Sequence, residues 1–259
     1  MFEFAKEIFY NRYVIWSLVM NDLKNRYRRS FLGFAWSFVS PLAMVIIIGF
    51  VFSEVLGQPI EEFVPYLFAG LNPWIFITTC ADAGAISFIS AEGYIKQSNI
   101  PLIVFPLRVA LGGFINLIFA LAAFIVLIII FQNERLAIGT FAVIPGLLAL
   151  FIVGFSFAII SGIAHTNIRD YSHIQSLVLQ AVFYATPIMF PSKMLGKKLA
   201  WLYKYNPIYH ILETIRIPIL EHKFPNPESW LWTALFSLFM LLSSLLFLKK
   251  TKRVLVFKI

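Results

Sequence analysis

The sequence has few charged residues, which make up 13% of its 259 positions. That is about half the charged share of an ordinary soluble domain, whereas 60% of the residues are hydrophobic and 17% are aromatic. A soluble protein of this length cannot bury so much apolar surface. A protein that spans a membrane can, because lipid is its solvent. The composition therefore indicates an all-α polytopic membrane protein.

Cysteine and histidine are also scarce. The single Cys80 lies in an apolar run, so one chain can form neither a disulfide nor a thiolate metal site. The four histidines show no metal-ligand spacing and are expected to be surface or capping residues. They are His165, His173, His210 and His222. Because no G-x-x-x-x-G-K-[ST] phosphate loop is present, we do not expect the chain to hydrolyse ATP.

Six apolar segments are long enough to cross about 30 Å of hydrocarbon. They are Phe31–Phe52, Phe63–Phe88, Ile103–Phe131, Phe141–Ile163, Ile174–Phe190 and Trp230–Leu248. The fifth carries Gln175, Ser176 and Gln180, so we expect it to face protein or water. Asp82 is the one acidic residue within a span. Such a carboxylate indicates a functional site or a structural hydrogen-bond partner.

Basic residues cluster just before the first span. Apolar residues precede and overlap this cluster at helical spacing, namely Ile15, Leu18, Val19, Leu23 and Tyr27. The pattern predicts an amphipathic interfacial helix within residues 1–30, its apolar side among lipid headgroups. A soluble amphipathic helix is the alternative. Since the net charge of +8 lies beside apolar runs, anionic membrane lipids are favoured as partners over nucleic acid.

The distribution of Lys and Arg predicts cytoplasmic termini. Residues 1–30 carry six of them and the tail 249–259 carries five, whereas the loop Ser53–Glu62 carries none. The segment Pro191–Ser229 would then be external, although it carries six Lys and Arg residues. A loop of that size crosses the membrane with its charge once earlier spans fix the orientation. Its proline and apolar pattern predicts two short external helices split near Pro218, with a surface loop as the alternative.

A candidate substrate path follows from the first and fifth spans. One face of the fifth is polar and aromatic, and the first carries small and polar residues at helical spacing. Aromatic rings stack on sugars while polar neighbours bind hydroxyl groups, so the pair suits a glycan. Close helix packing is the alternative. The path candidates are Trp36, Ser37, Ser40, Gln180, Phe183, Tyr184 and Phe190.

Four stretches, in order, resemble a known family. Arg26–Pro41, RYRRSFLGFAWSFVSP, resembles the entry to the first span of type-2 ABC exporter permeases. The resemblance is to the branch that exports bacterial surface polysaccharides: O-antigen, capsule and teichoic acid. Tyr94–Pro106 resembles the cytoplasmic coupling segment, Asn167–Pro191 the fifth span, and Tyr205–Ile215 the start of the external gate helices.

The resemblance implies a single ABC-2 transmembrane domain over residues 1–259. It comprises spans one to five at 31–190, external gate helices at 191–229, span six at 230–248 and a cytoplasmic tail at 249–259. The implied protein is a homodimeric permease subunit in the bacterial inner membrane that exports lipid-linked polysaccharide. A separate cytoplasmic ATPase subunit would bind ATP and Mg, so this chain would need no cofactor of its own.

The resemblance also suggests residue roles. The candidates for docking the ATPase are Asn21, Lys24, Glu92, Tyr94 and Lys96. Those for the external gate are Asn206, Pro207 and Tyr209. Arginine binds phosphate bidentately, so Arg26, Arg28 and Arg29 are candidates for the phosphate of a lipid-linked cargo. Anchoring to anionic lipid needs only their charge and is the alternative.

Two other functions fit the sequence. One is a permease of the same family that moves a drug, a lipid or heme. The other is a membrane-embedded enzyme that processes glycans or lipids. Such an enzyme places several carboxylates or histidines at the membrane boundary, where Asp170 and Glu92 stand almost alone.

Overall fold

The computed structural model describes residues 2–28, 33–132, 138–194 and 196–258, and within these ranges regular structure is entirely helical. The helices of the first part of the chain are α1 (Phe2–Tyr10), α2 (Arg12–Tyr27), α3 (Trp36–Leu56), α4 (Ile60–Ala85) and α5 (Glu92–Gln97). Those that follow are α6 (Val104–Gln132), α7 (Val143–Asn167), α8 (Tyr171–Ala185), α9 (Trp201–Lys204), α10 (Pro207–Leu220) and α11 (Pro227–Lys258).

Five helices of the described chain are long and apolar enough to cross a membrane. The candidate spans are Trp36–Val55, Ile60–Ala85, Val104–Ile125, Gly139–Asn167 and Pro227–Lys258. Each overlaps one of the predicted spans, which confirms a multi-pass helical membrane protein. α11 continues as helix past the predicted end at Leu248 and through most of the predicted tail.

The predicted span Ile174–Phe190 corresponds to α8, which has 15 residues. The helix ends at Ala185 because Thr186 adopts an extended backbone just before Pro187, as residues that precede proline usually do. At 1.5 Å per residue α8 is about 22 Å long, which is less than the hydrocarbon thickness of about 30 Å. The prediction of six spans is therefore not confirmed.

α4 and α7 cross through glycines at the centre of the bundle. A Cβ at Gly84 of α4 would overlap the Cα of Ala158 in α7, and one at Gly162 would lie 2.9 Å from the Gly84 carbonyl oxygen. Small residues let two backbones approach this closely without a side chain between them. α6, α10 and α11 pack around this pair.

α2 packs against α6. Four of its predicted apolar residues are buried in the hydrophobic core, namely Ile15, Leu18, Val19 and Leu23. The Arg108 guanidinium of α6 donates two hydrogen bonds to the Asp22 carboxylate of α2. The predicted placement of these four side chains among headgroups is therefore wrong, because the protein itself covers them.

The segment between α8 and α11 contains a buried helix. α10 continues through Pro218 to Leu220, so the predicted split near Pro218 is wrong. Its side chains Ile211, Leu212 and Ile215 are fully buried, because α10 packs against α4, α7 and α11. A proline in a helix leaves the carbonyl four residues earlier without its donor. Gly146 of α7 packs at that point, since a Cβ there would lie 2.8 Å from the Thr214 oxygen.

Candidate substrate path

A cavity of about 240 Å³, which we call the Arg26 cavity, lies between α2, α3, α4 and α6. Three of the predicted path residues line it, Trp36, Ser37 and Ser40, together with Arg26. The Ser37 hydroxyl donates to Oδ1 of Asn116 in α6 over 3.3 Å. This wall combines a guanidinium, neutral hydrogen-bonding groups and an indole ring.

A second cavity of about 390 Å³, the Asp82 cavity, lies between α3, α4 and α8. The other predicted path residues of α8, Gln180, Phe183 and Tyr184, line it. The Phe183 ring centroid lies 5.7 Å from that of Trp74 in α4 and 5.4 Å from that of Tyr184. Three aromatic rings therefore border a space that is also lined by carboxylate and amide groups.

α4 runs between the two cavities, and its Ile75 side chain lines both. Sequence reasoning placed the path between α3 and α8 and did not include α4. The apolar run of α4 is interrupted by the polar residues Asn72, Thr78, Thr79 and Asp82. These residues could have indicated that α4 borders the path. Their helical spacing puts Asn72 and Thr79 at one cavity and Thr78 and Asp82 at the other.

Asp82 belongs to a hydrogen-bond chain that joins three helices. Gln175 of α8 donates from Nε2 to Asp82 Oδ1 over 3.1 Å. The buried Ser161 hydroxyl of α7 donates to Gln175 Oε1. Because its oxygen is already bonded to Ser161, the Gln175 amide presents its NH₂ group to the carboxylate. Asp82 is thus both a structural hydrogen-bond partner and an exposed group in the cavity wall.

Phe190 lies apart from the other path candidates and lines neither cavity. It follows α8, where its carbonyl oxygen accepts a hydrogen bond of 3.2 Å from the Tyr66 hydroxyl of α4. Of the phosphate candidates, Arg26 lines its cavity, Arg28 is exposed, and Arg29 lies outside the described residues.

The gate candidates form the start of α10. The Asn206 carbonyl oxygen Oδ1 caps the helix by accepting from the backbone N–H groups of Ile208 and Tyr209, at 3.0 and 3.4 Å. Its NH₂ group donates to Thr186 Oγ1 at 2.8 Å, which links α10 to the end of α8. Pro207 occupies the first turn, where a missing N–H costs nothing.

Tyr209 adds a second link to the segment after α8. Burial raises the pKa of its phenol, so the hydroxyl stays protonated and donates to Ser192 Oγ over 3.2 Å. His210 was expected at a surface or cap. It is instead buried, between the Lys204 carbonyl and the Ser229 hydroxyl. The described residues hold no cluster of His, Cys, Asp and Glu that fits a metal ion.

Comparison with known proteins decides the family. A model of the ABC-2 type transporter family matches residues 13–220. The chain belongs to this family. It is 28% identical over 246 residues to the O-antigen export system permease protein RfbA of Myxococcus xanthus, with 93% of both chains covered. Two RfbA permeases of Klebsiella pneumoniae are 30% and 28% identical over 189 and 187 residues, with 72% of each chain covered.

In this ABC-2 transporter chain the predicted docking residues lie on exposed surfaces. Glu92, Tyr94 and Lys96 project from the short helix α5, where Lys96 Nζ and Glu92 Oε1 form an ion pair of 2.6 Å. Asn21 and Lys24 are exposed on α2. The docking role of these residues stays a prediction.

The transporter also contains a buried arginine that sequence reasoning missed. Arg216 of α10 is only 3% exposed. Its Nη1 donates to the Tyr66 hydroxyl at 2.8 Å and to Glu213 Oε1 at 3.0 Å, and Nη2 donates to the Ile188 carbonyl at 3.3 Å. Arg216 was counted only as a loop charge. Its position four residues after Leu212, on the apolar face of the helix, could have indicated that Arg216 is buried.

Proposed function

We propose that this chain is the membrane permease subunit of an ATP-driven exporter that moves lipid-linked polysaccharide across the bacterial inner membrane. The observation that carries the proposal is the alignment with the Myxococcus xanthus permease over 93% of both chains. That relative's name states O-antigen export. Membership of a transporter family also argues against the alternative of a membrane-embedded enzyme.

The two cavities suit the two chemical parts of such a cargo. Arg26 can form bidentate hydrogen bonds to a phosphate, and it faces the Arg26 cavity at the end of α2. The Asp82 cavity offers the aromatic and amide groups that bind sugar rings and hydroxyls. α3 lines both cavities and α8 lines one, so the path candidates lie on either side of α4.

The remaining parts of the proposal concern assembly. An ATPase subunit would supply ATP and Mg and dock on α5 and on the exposed side of α2. Two copies of the permease would enclose one conduit. α8 would complete a sixth crossing together with the residues that follow it, up to Phe190. Both termini and α5 would then be cytoplasmic, and α10 would lie toward the outside.

A deletion experiment tests the proposal. Without the gene, we expect surface polysaccharide to fall at least tenfold and the lipid-linked polymer to accumulate inside the cell, because synthesis continues while export stops. The measurement is a blot of surface polymer beside mass spectrometry of extracted lipid-linked glycan. Wild-type permease supplied in trans should restore both and should copurify with an ATPase.

Two results would contradict the proposal. Unchanged surface polymer in the deletion strain, with loss of a drug or lipid efflux activity, would assign the permease to another cargo of the ABC-2 family. Polysaccharide transport by the purified chain without any ATPase would show that it is not a subunit of an ATP-driven exporter.

A further inference from the structure

We propose that the Asp82 cavity is a subsite for uncharged sugar units and that the Asp82 carboxylate selects against acidic ones. The inference deepens the proposed function and rests on it. It assigns a role to Asp82, Trp74 and Thr78, none of which belonged to the predicted path. It also limits the chemical class of the polymer.

The carboxylate is held in place by a neutral partner. Gln175 donates one hydrogen bond to Oδ1, and Ser161 fixes the orientation of that amide. Asp82 forms no ion pair within the described residues, and its side chain is exposed to the cavity. An ionised carboxylate accepts about four hydrogen bonds. Asp82 therefore keeps acceptor capacity for hydroxyl donors from a ligand.

The other groups in this wall match a sugar. The Trp74, Phe183 and Tyr184 rings supply apolar faces of the kind that cover the C–H face of a pyranose. Gln180 supplies an amide with both donors and acceptors, and Thr78 adds a hydroxyl. A metal cation would find no second carboxylate lining this cavity. A protonated amine would be attracted to Asp82 and to the aromatic rings, but it has no acceptor for the NH₂ group of Gln180, whereas a sugar hydroxyl both donates and accepts.

The charges of the two cavities are opposite. Arg26 contributes a cation to one, and Asp82 contributes an anion to the other, on the far side of α4. A phosphate is attracted to the first and repelled by the second, while a neutral sugar hydrogen-bonds readily to a carboxylate. Inside a protein, like charges are screened less than in bulk water. A uronic acid unit in the Asp82 cavity would therefore be disfavoured, so the cargo has uncharged sugars in the units that pass there.

The test compares binding of two probes to the purified permease–ATPase complex in lipid nanodiscs. The probes are an α-linked glucose oligosaccharide and a galacturonic acid oligosaccharide of the same linkage and length. We expect the wild type to bind the neutral probe at least tenfold more tightly than the acidic one. Asp82→Asn should weaken neutral binding severalfold and bring the two dissociation constants within about threefold of each other.

Two further variants separate charge from contact. Gln180→Leu removes an amide from the same cavity, so it should weaken both probes equally and keep the preference for the neutral one. Asp170→Asn removes an exposed carboxylate at the start of α8, outside the cavity, and should change neither constant. If Asp82→Asn fails to fold, as judged by its elution and thermal unfolding, Gln180→Leu still tests whether the cavity binds sugar.

Two results would overturn the inference. One is equal binding of both probes by the wild type, and the other is an unchanged preference in Asp82→Asn. Absence of any sugar binding by a permease that restores export in the deletion strain would refute the subsite alone. Failure of the deletion strain to lose surface polymer would instead refute the proposed function.

Discussion

Of the two phosphate candidates that the structure describes, Arg26 lines the cavity named after it, so its role can be distinguished from that of a membrane anchor. Lysine keeps the charge but lacks the planar fork that binds phosphate at two points. We expect Arg26→Lys to preserve membrane insertion and to lower export several-fold. Arg28→Lys, which changes an exposed residue on the same turn, and Arg253→Lys on α11 are the controls.

The measurement for Arg26→Lys is the surface polymer per unit of permease in the membrane. Export at the wild-type rate in Arg26→Lys would show that Arg26 anchors the helix to anionic lipid and that the cargo's phosphate binds elsewhere. An equal loss of export in Arg28→Lys would show that the effect of these substitutions does not depend on the Arg26 cavity. Arg29 lies outside the described residues, so the structure makes no distinction for it.

At the scale of single residues, the sequence indicated which side chains matter but not which of them meet. Asp82 was ambiguous between function and structure because its partner Gln175 lies in a different span. Asn116 gave no signal beyond being polar in an apolar run, yet it bonds Ser37. Contacts between helices depend on their rotation and crossing angle, which helical periodicity alone does not determine.

Among the elements, α10 is joined to its neighbours by one buried charged side chain in addition to its apolar packing. Arg216 joins α10 to Tyr66 of α4 and to the Ile188 carbonyl after α8, and its guanidinium carbon lies 3.8 Å from the Tyr66 ring centroid. Removing one member of a buried charged pair leaves the other unpaired and costs about 3–5 kcal/mol. We expect Arg216→Gln to lower the free energy of unfolding by about 3 kcal/mol, measured by denaturant titration in mixed micelles.

Lys223→Gln is the matched control for Arg216→Gln. Lys223 pairs with Glu221 at 3.5 Å on the surface just after α10, with side chains 73% and 58% exposed. Exposed pairs contribute about 0–1 kcal/mol, so this variant should unfold like the wild type. Equal destabilisation by the two substitutions would contradict the view that Arg216 fastens α10.

The helical elements themselves were largely predictable, and the exceptions have physical causes. The runs at α3, α4, α6, α7 and α11 are long and apolar, so their existence followed from composition. α8 ends early because Thr186 precedes Pro187. Pro218 suggested a break, but it falls in the last turn of α10, where few backbone bonds remain to be lost. The buried face of α2 looked interfacial because apolar periodicity does not tell protein from lipid.

For the whole molecule, the two ends of the chain lie on the same side of the bundle. Lys252 Nζ near the end of α11 donates to Glu7 Oε1 of α1 over 2.8 Å, and Lys258 Nζ donates to Asn167 Oδ1 at the end of α7 over 2.7 Å. α11 is 32 residues long, or about 48 Å, so it extends well beyond a hydrocarbon layer of about 30 Å. Its last turns are therefore free to pack on α1 outside the lipid.

The structure also reduces the weight of the Lys and Arg residues that argue against cytoplasmic termini. The segment Pro191–Ser229 carries six Lys and Arg residues, but Arg216 is buried and paired with Glu213. Such a charge is compensated within the protein and has less bearing on orientation. The basic residues at both ends, by contrast, include exposed side chains such as Lys24, Lys250 and Arg253.

Thiol labelling in intact cells tests the resulting orientation. With Cys80, which is buried, replaced by alanine, single cysteines are placed at exposed positions: Glu61 in the first turn of α4, Lys198 before α9, and Lys250 in α11. An impermeant maleimide added outside should label Glu61→Cys and Lys198→Cys, and it should label Lys250→Cys only after the cells are permeabilised. Lys250 is preferred to Lys252 as the labelling site because Lys252 forms an ion pair with Glu7. Labelling of Lys250→Cys alone in intact cells would invert the molecule, moving α5 to the outside, where it could not meet a cytoplasmic ATPase.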